Sequence, residues 1–375
     1  RTYLREYLDQ AQWPDAGFTA EAVQVPYVSL EPEETEEMVQ ALKKARTLLQ
    51  KARSSDIWKN MPALKWGIDL SEGFEAYSTN RLETSITHLQ KLQSRPDLAL
   101  EGAFFLILAY CRKGNPEAAI PIAQRLVDRR PDLVPAKNQL AACHQFLGAE
   151  YLTQNRDATP HLLAAKEIIQ GLNQTIKRES RLAVLNLMLG ISESRSGNIP
   201  KAKQYLMEGK ESYERFLRRW PNSIRYRVNL ARALIDLGSF EKETSKMALY
   251  YQKAGSQLNQ ALKIDPSNSF LAFCKLDNEL NLSQISAREG TFSEKESKTL
   301  EKEIDALAKE SKSRDKLLIL RSKLFYSQGY RHYRSGNRDE ARKALTISIQ
   351  LNSDALEISP GMIGIQKEIL NKFKK

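Results

Sequence analysis

Four histidines, three cysteines and a surplus of arginine and lysine are the side chains of this 375-residue chain that could do chemistry. His88, His144, His161 and His332 have no Cys or His neighbour at metal-ligand spacing. No Ser-His-Asp order surrounds any of them, so no activated nucleophile is implied. They read as structural or surface histidines. Cys111, Cys143 and Cys274 lie far apart, inside apolar helical patterns. That spacing predicts buried free thiols rather than a disulfide framework or a metal cage, and it favours the cytoplasm. Gly361-Met362-Ile363-Gly364 lacks the Lys-Ser or Lys-Thr that would make a phosphate loop. The chain is expected to hold no catalytic residue, no cofactor and no metal ligand.

Charge offers a different chemistry, recognition. The formal net charge is +11, unevenly spread. Residues 201–232 hold nine Lys or Arg against three acids, and residues 309–343 hold eleven against four. Such fields attract nucleic acid, anionic lipid or an acidic protein. Arg215, Arg218, Arg219, Trp220, Arg225, Arg227 and Arg232 mix cations with an aromatic ring, as single-stranded nucleic acid requires. No nucleic-acid-binding motif accompanies them. In helical projection Tyr326, Tyr330 and Tyr333 share a face, which suits either an aromatic binding platform or packing between helices.

The elements that must position these residues are helices. Residues 1–10 suit a short arm or helix, and Pro14, Gly17, Pro26 and Pro32 make residues 12–32 an extended connector. A helix from Glu33 to about Lys51 starts with acids and ends with bases, matching its dipole. Helix pairs then recur. Gly114-Asn115, Gly197-Asn198 and Gly336-Asn337 each separate two apolar-periodic segments. Pro96 and Pro131, and Gly114 and Gly148, suggest punctuation at near-constant intervals, with glycine releasing the chain at helix ends. One helix is expected from Thr159 to Lys177. Segments from Pro200 to Arg219 and Glu241 to Ile264 exceed the length of a standard repeat helix. Ser293 to Ser313 reads as an exposed charged helix with Leu300, Ile304 and Leu307 as its stripe. Ile358 to Lys375 reads as an amphipathic cap. The most apolar run, Phe104 to Cys111, is far below the roughly 20 residues of a membrane span.

These pairs resemble tetratricopeptide repeats, whose unit is a helix hairpin of about 34 residues with small and large apolar residues at set places. The resemblance rests on Phe325, Gly329 and Ala341 in the last copy, and on Leu106, Tyr110, Ala119 and Pro131 in an early one. Leu189, Gly190 and Ala202, then Leu230, Ala231, Leu234 and Gly238, carry two more copies. Leu140, Ala141 and Gly148 match before the copy diverges. The resemblance covers about residues 65–355. It implies an all-α, right-handed TPR-like α-solenoid of antiparallel helix hairpins, irregular and with lengthened helices.

The expected organisation is an arm, connector and packing helix over 1–62, repeats over 63–282, and a charged helix, final repeat and cap over 283–375. Family resemblance also implies a partner held in a groove lined by first helices. Here that groove takes in Arg225, Val228 and Arg232, and Lys323, Tyr326, Tyr330, Tyr333 and Arg334. The chaperone-tail clamp of one subgroup is not reproduced. Asn138 stands at one plausible clamp position, but Ala142 stands where a second asparagine would be needed. The expected function is a non-enzymatic scaffold or adaptor holding an acidic peptide or protein. The alternatives are a regulatory or docking region of a larger enzyme, such as a protein kinase whose catalytic domain lies outside this chain, and a nucleic-acid adaptor.

Overall fold

The computed structural model describes residues 32–54, 62–92, 99–173, 176–310 and 314–354. The arm expected over 1–10, the connector expected over 12–32 save Pro32, which opens a helix, and the cap expected over 358–375 lie outside the described residues. Every described element is a helix. Two compact units, Arg1–Ser196 and Gly197–Lys375, divide the chain.

In the first unit α1 spans Pro32–Arg53, α2 Pro62–Ser78, α3 Leu82–Gln90 and α4 Ala99–Arg112. Then come α5 Pro116–Arg129, α6 Val134–Thr153, α7 Thr159–Gln170 and α8 Ile176–Arg195. Each helix packs on the next, and the first helices α2, α4, α6 and α8 also touch in succession. This is the stacking of a TPR-like solenoid. Phe104 to Ala109 are at most 2% exposed. The run is apolar all round because α2, α3, α5 and α6 surround α4. Phe74 and Phe105 meet edge to face at 4.3 Å in the same core.

In the second unit α9 spans Ile199–Arg219, α10 Ile224–Ser239, α11 Thr244–Ile264 and α12 Ser269–Glu289. They are followed by α13 Glu294–Glu310, α14 Arg314–Arg334 and α15 Arg338–Asp354. Here α12 packs broadly on α14, with α13 alongside both. The charged helix α13 is therefore docked, because Ile304 and Leu307 are buried with Leu276, Leu280, Leu320 and Leu324. Helices α9 and α11 are long at 21 residues, yet α12 and α14 are equally long. Length does not set α9 and α11 apart.

Most of the described hairpins, though not α10–α11, turn on a left-handed residue. Asn80, Gly114, Asn155, Gly197, Gly290 and Gly336 all take positive φ, between 55° and 83°. A left-handed residue after a helix lets the next amide reach back to the last turn's carbonyls. Asn115 N–H donates to the Tyr110 carbonyl at 2.9 Å, and Asn337 N–H to that of His332 at 3.0 Å. The same asparagines then cap the following helix. The Asn115 side chain accepts from Ala118 N–H, and that of Asn337 from Glu340 N–H. At these two hairpins Gly-Asn is thus a stop and a start in two residues, whereas Asn198 makes no side-chain cap bond.

Seven residues before five of these turns stands a small residue: Gly73, Gly148, Gly190, Ser283 or Gly329. A Cβ on Gly73 would lie 2.7 Å from Leu89 Cγ, and one on Gly329 2.7 Å from Leu345 Cγ. The helices cross where glycine allows it, and a leucine of the second helix fills the space. In the α4–α5 hairpin Ile107 holds the early position, and Ala123 sits in α5 at the offset of Leu89 and Leu345. Large and small have exchanged places.

Several expectations need correction. Gly148 is no helix end; it lies inside α6, where its missing Cβ admits Leu162. The helix expected from Thr159 to Lys177 stops at Gln170, and α8 starts at Ile176. Cys111 and Cys143 are buried as expected, but Cys274 is half-buried. The first two thiols also face each other across α4 and α6, Sγ to Sγ 2.9 Å, a proximity that their sequence separation did not suggest.

Candidate partner-binding site

On α10, Arg225, Val228 and Arg232 fall at i, i+3 and i+7, which places them on one helical face. All three are half-buried. Arg225 stacks its guanidinium over Tyr226, 5.6 Å from the ring centre. Both arginines act electrostatically on the Tyr213 phenol, which burial holds un-ionised and to which Asn229 Nδ2 donates at 3.3 Å. Tyr213, Phe216, Trp220 and Tyr226 form one aromatic cluster, with Phe216 and Tyr226 ring centres 5.0 Å apart. Trp220 therefore belongs to packing between α9 and α10, with Arg219 over its ring at 5.0 Å.

The α14 residues divide. Lys323 is ion-paired with Asp277 of α12. Tyr326 is fully buried and accepts a hydrogen bond from Arg288 Nε at 3.2 Å. It is a core residue, so its assignment to a partner surface is corrected. Tyr330 and Tyr333 are partly exposed and bridge that core to the surface, with successive ring centres 5.9 Å apart. Arg334 is exposed and lies against Gly290, where a Cβ would come within 3.2 Å of Nη2. The left-handed glycine gives the guanidinium its seat.

Much of the positive charge in the second unit is thus matched locally. Lys203 pairs with Glu241, Lys275 with Glu279 and Arg321 with Asp305. A composition count sees eleven bases over 309–343 and cannot see Asp277 closing on Lys323 from another helix.

Two clusters in the first unit were not anticipated from the sequence. Arg181 of α8 donates from Nη1 to Asn138 Oδ1 of α6 at 3.0 Å. Its Nη2 is closed off from solvent and meets no acceptor among the described residues. Burial alone pushes its pKa down to about 10. This is a cation stripped of water and given one neutral partner, which is costly. The available signal was the register: Asn138 and Arg181 both precede a crossing glycine on a first helix.

The other cluster joins α2 and α3. His88 Nδ1 lies 2.9 Å from Asp69 Oδ1 and 3.2 Å from Glu72 Oε2. Lys91 Nζ lies 3.2 Å from the same Asp69 oxygen. The ligand atoms of Asp69, Glu72 and His88 are within 4.8 Å of one another, close enough for a cation. Lys91 holds Asp69 and His88 lies between Asp69 and Glu72, so the geometry is that of a polar network that pins α3 to α2.

No protein-family model and no curated protein matches the sequence. Among solved structures, the chain is similar to a tetratricopeptide repeat protein from Parabacteroides merdae. Identity is 12% and the TM-score 0.47, over 82% of this chain and 98% of that one. A second is TTC0263, a thermophilic TPR protein of Thermus thermophilus, at 18% identity and TM-score 0.32, over 57% of this chain and 99% of that one. A third is a human IFIT1 dimer with m7Gppp-AAAA, at 16% identity and TM-score 0.40, over 100% of this chain and 86% of that one. Among the described residues no helix is long and apolar enough to cross a membrane.

Proposed function

We propose that this chain is a non-enzymatic scaffold or adaptor whose partner is a protein presenting an acidic segment. The observation that carries the reading is Arg181. Arg181 is half-buried, and its guanidinium, bonded to the neutral Asn138 and to no carboxylate among the described residues, leaves its charge for an arriving anion. Asn138 holds it in place. The partly exposed residues Arg225, Val228, Arg232, Tyr330, Tyr333 and Arg334 supply further contacts on the second unit, where cations and aromatic rings alternate. Charge complementarity of this kind sets partner choice and association rate more than raw affinity.

The test is capture of partners on the intact chain from cell extract, with and without nuclease, followed by titration of the recovered partner. Arg181→Gln is expected to weaken binding about tenfold, worth ~1.4 kcal/mol. Charge reversal at Arg225 and Arg232 should slow association while the melting curve stays close to wild type. A partner that binds all three variants with wild-type affinity and rate would reject the reading. So would loss of every captured partner on nuclease treatment, with steep salt dependence, which is the signature of nucleic acid.

A further inference from the structure

His144 of α6 and His161 of α7 place their Nδ1 atoms 3.1 Å apart. Their rings are inclined by 30° with centres 5.4 Å apart. Both side chains are half-buried, on facing helices of one hairpin. We propose that His144 and His161 form a two-histidine clamp for a divalent transition-metal ion of the zinc, nickel and copper class.

The geometry is the first argument. Metal–nitrogen bonds of about 2.0–2.1 Å put two imidazole nitrogens about 2.9 Å apart at a right angle and about 3.4 Å apart at the tetrahedral angle. The observed separation lies between these, so the two nitrogens are already at the spacing of a shared ion. Imidazole ligands select this class of ion over magnesium or calcium, which take oxygen donors.

The tautomers are the second argument. In the free pair one Nδ1 carries hydrogen and the other accepts. Binding moves that hydrogen to Nε2 of the same ring, which leaves two lone pairs for the ion and releases no net proton.

The surroundings orient the pair. The Tyr151 ring meets His161 edge to face at 5.2 Å, and the Arg156 guanidinium lies over the Tyr151 ring, 3.6 Å from its centre. Tyr151 Oη donates to Glu117 Oε1 at 3.2 Å. Glu117 is the exposed carboxylate whose charge reaches His161. The Asp69–Glu72–His88 cluster is a poorer candidate because Lys91 already occupies the Asp69 carboxylate.

Zinc chloride is titrated by calorimetry into the tag-free chain at pH 7.5, with magnesium chloride as the control. One zinc per chain is expected, with a dissociation constant on the order of micromolar, and no heat from magnesium. His144→Ala and His161→Ala should each weaken zinc binding at least about tenfold, while His88→Ala leaves it unchanged. Glu117→Gln should weaken it less than either histidine change. Zinc should raise the melting temperature of the wild type and not of the histidine variants. No saturable binding overturns the clamp. So does unchanged affinity in both histidine variants, loss in His88→Ala, or a larger loss in Glu117→Gln than in either histidine variant. If His144→Ala folds poorly, His161→Gln alone decides, since that ring sits near the first turn of α7.

Discussion

At the scale of single residues, the same side-chain type does different work according to what faces it. Gly329 is required because a Cβ there would lie 2.7 Å from Leu345 Cγ and 3.2 Å from the Leu345 backbone nitrogen. A side chain can turn away; a backbone nitrogen cannot. Gly329→Leu is expected to cost about 1–3 kcal/mol through overpacking. A thermal melt reads it directly, and an unchanged midpoint would mean that α14 and α15 are not close-packed there. His144 gives a pH signature. Its folded pKa, about 4, lies below the ordinary histidine value near 6.5. The unfolded chain therefore binds a proton first, so its contribution is full above pH 6.5 and is lost as pH falls toward 4. His161 shifts the same way, with Glu117 opposing and Arg156 reinforcing. Urea unfolding of wild type and His144→Gln at pH 7.5 and 4.5 should converge at the lower pH. A stability gap that does not narrow would refute the neutral buried pair. Arg181 carries the opposite expectation for a charged residue: Arg181→Met should leave the melting temperature unchanged or raised, because an unmatched buried cation is removed. A drop of several degrees would show that Arg181 is structural.

At the scale of elements, the hairpin turn is the unit that repeats. A left-handed residue, an amide returning to the preceding helix and a capping asparagine occur together at Gly114-Asn115 and Gly336-Asn337. Gly336 meets nothing within 4 Å, so an added methyl group would be free of clashes. Its φ of 80° is the constraint. Gly336→Ala is therefore expected to cost about 1 kcal/mol, the penalty of the left-handed region for an L-residue. Gly336→Asn should cost less, since Asn80 and Asn155 already hold that conformation in other hairpins. Equal melts for both variants and the wild type would contradict the turn argument. Helix α13 shows the other side of element behaviour. Its sequence is mostly Lys, Glu and Ser, yet Ile304 at 1% exposure and Leu307 at 7% fix it against α12 and α14. A narrow stripe is enough when two helices supply the wall.

At the scale of the whole molecule, the described helices of each unit pack on one another, in chain order in the first and with α12 also on α14 in the second. Far-UV circular dichroism should be strongly helical, and substantial strand content would end the solenoid reading. Purified chain is expected to turn over no nucleotide, peptide or ester. Turnover that follows the chain through purification and disappears on changing one residue would overturn that.

The amino-acid sequence by itself determined the helices and their pairing. Apolar spacing of three and four, Gly-Asn between segments, and a small residue before most turns are local features, and local sterics read them the same way in any context. That is why Gly329 and the α14–α15 hairpin were legible. Gly148 was misread because glycine serves two purposes, a left-handed turn and a close crossing, and only the facing Leu162 tells them apart. The charged and titrating groups were not legible for a related reason. Whether Lys323 is a free cation depends on Asp277, 46 residues away. Whether Arg181 is matched depends on Asn138, and whether two histidines meet depends on how α7 lies on α6. Electrostatic energy is set by distance and burial across helices, so the fold class belonged to the sequence and the state of each charge to the tertiary structure.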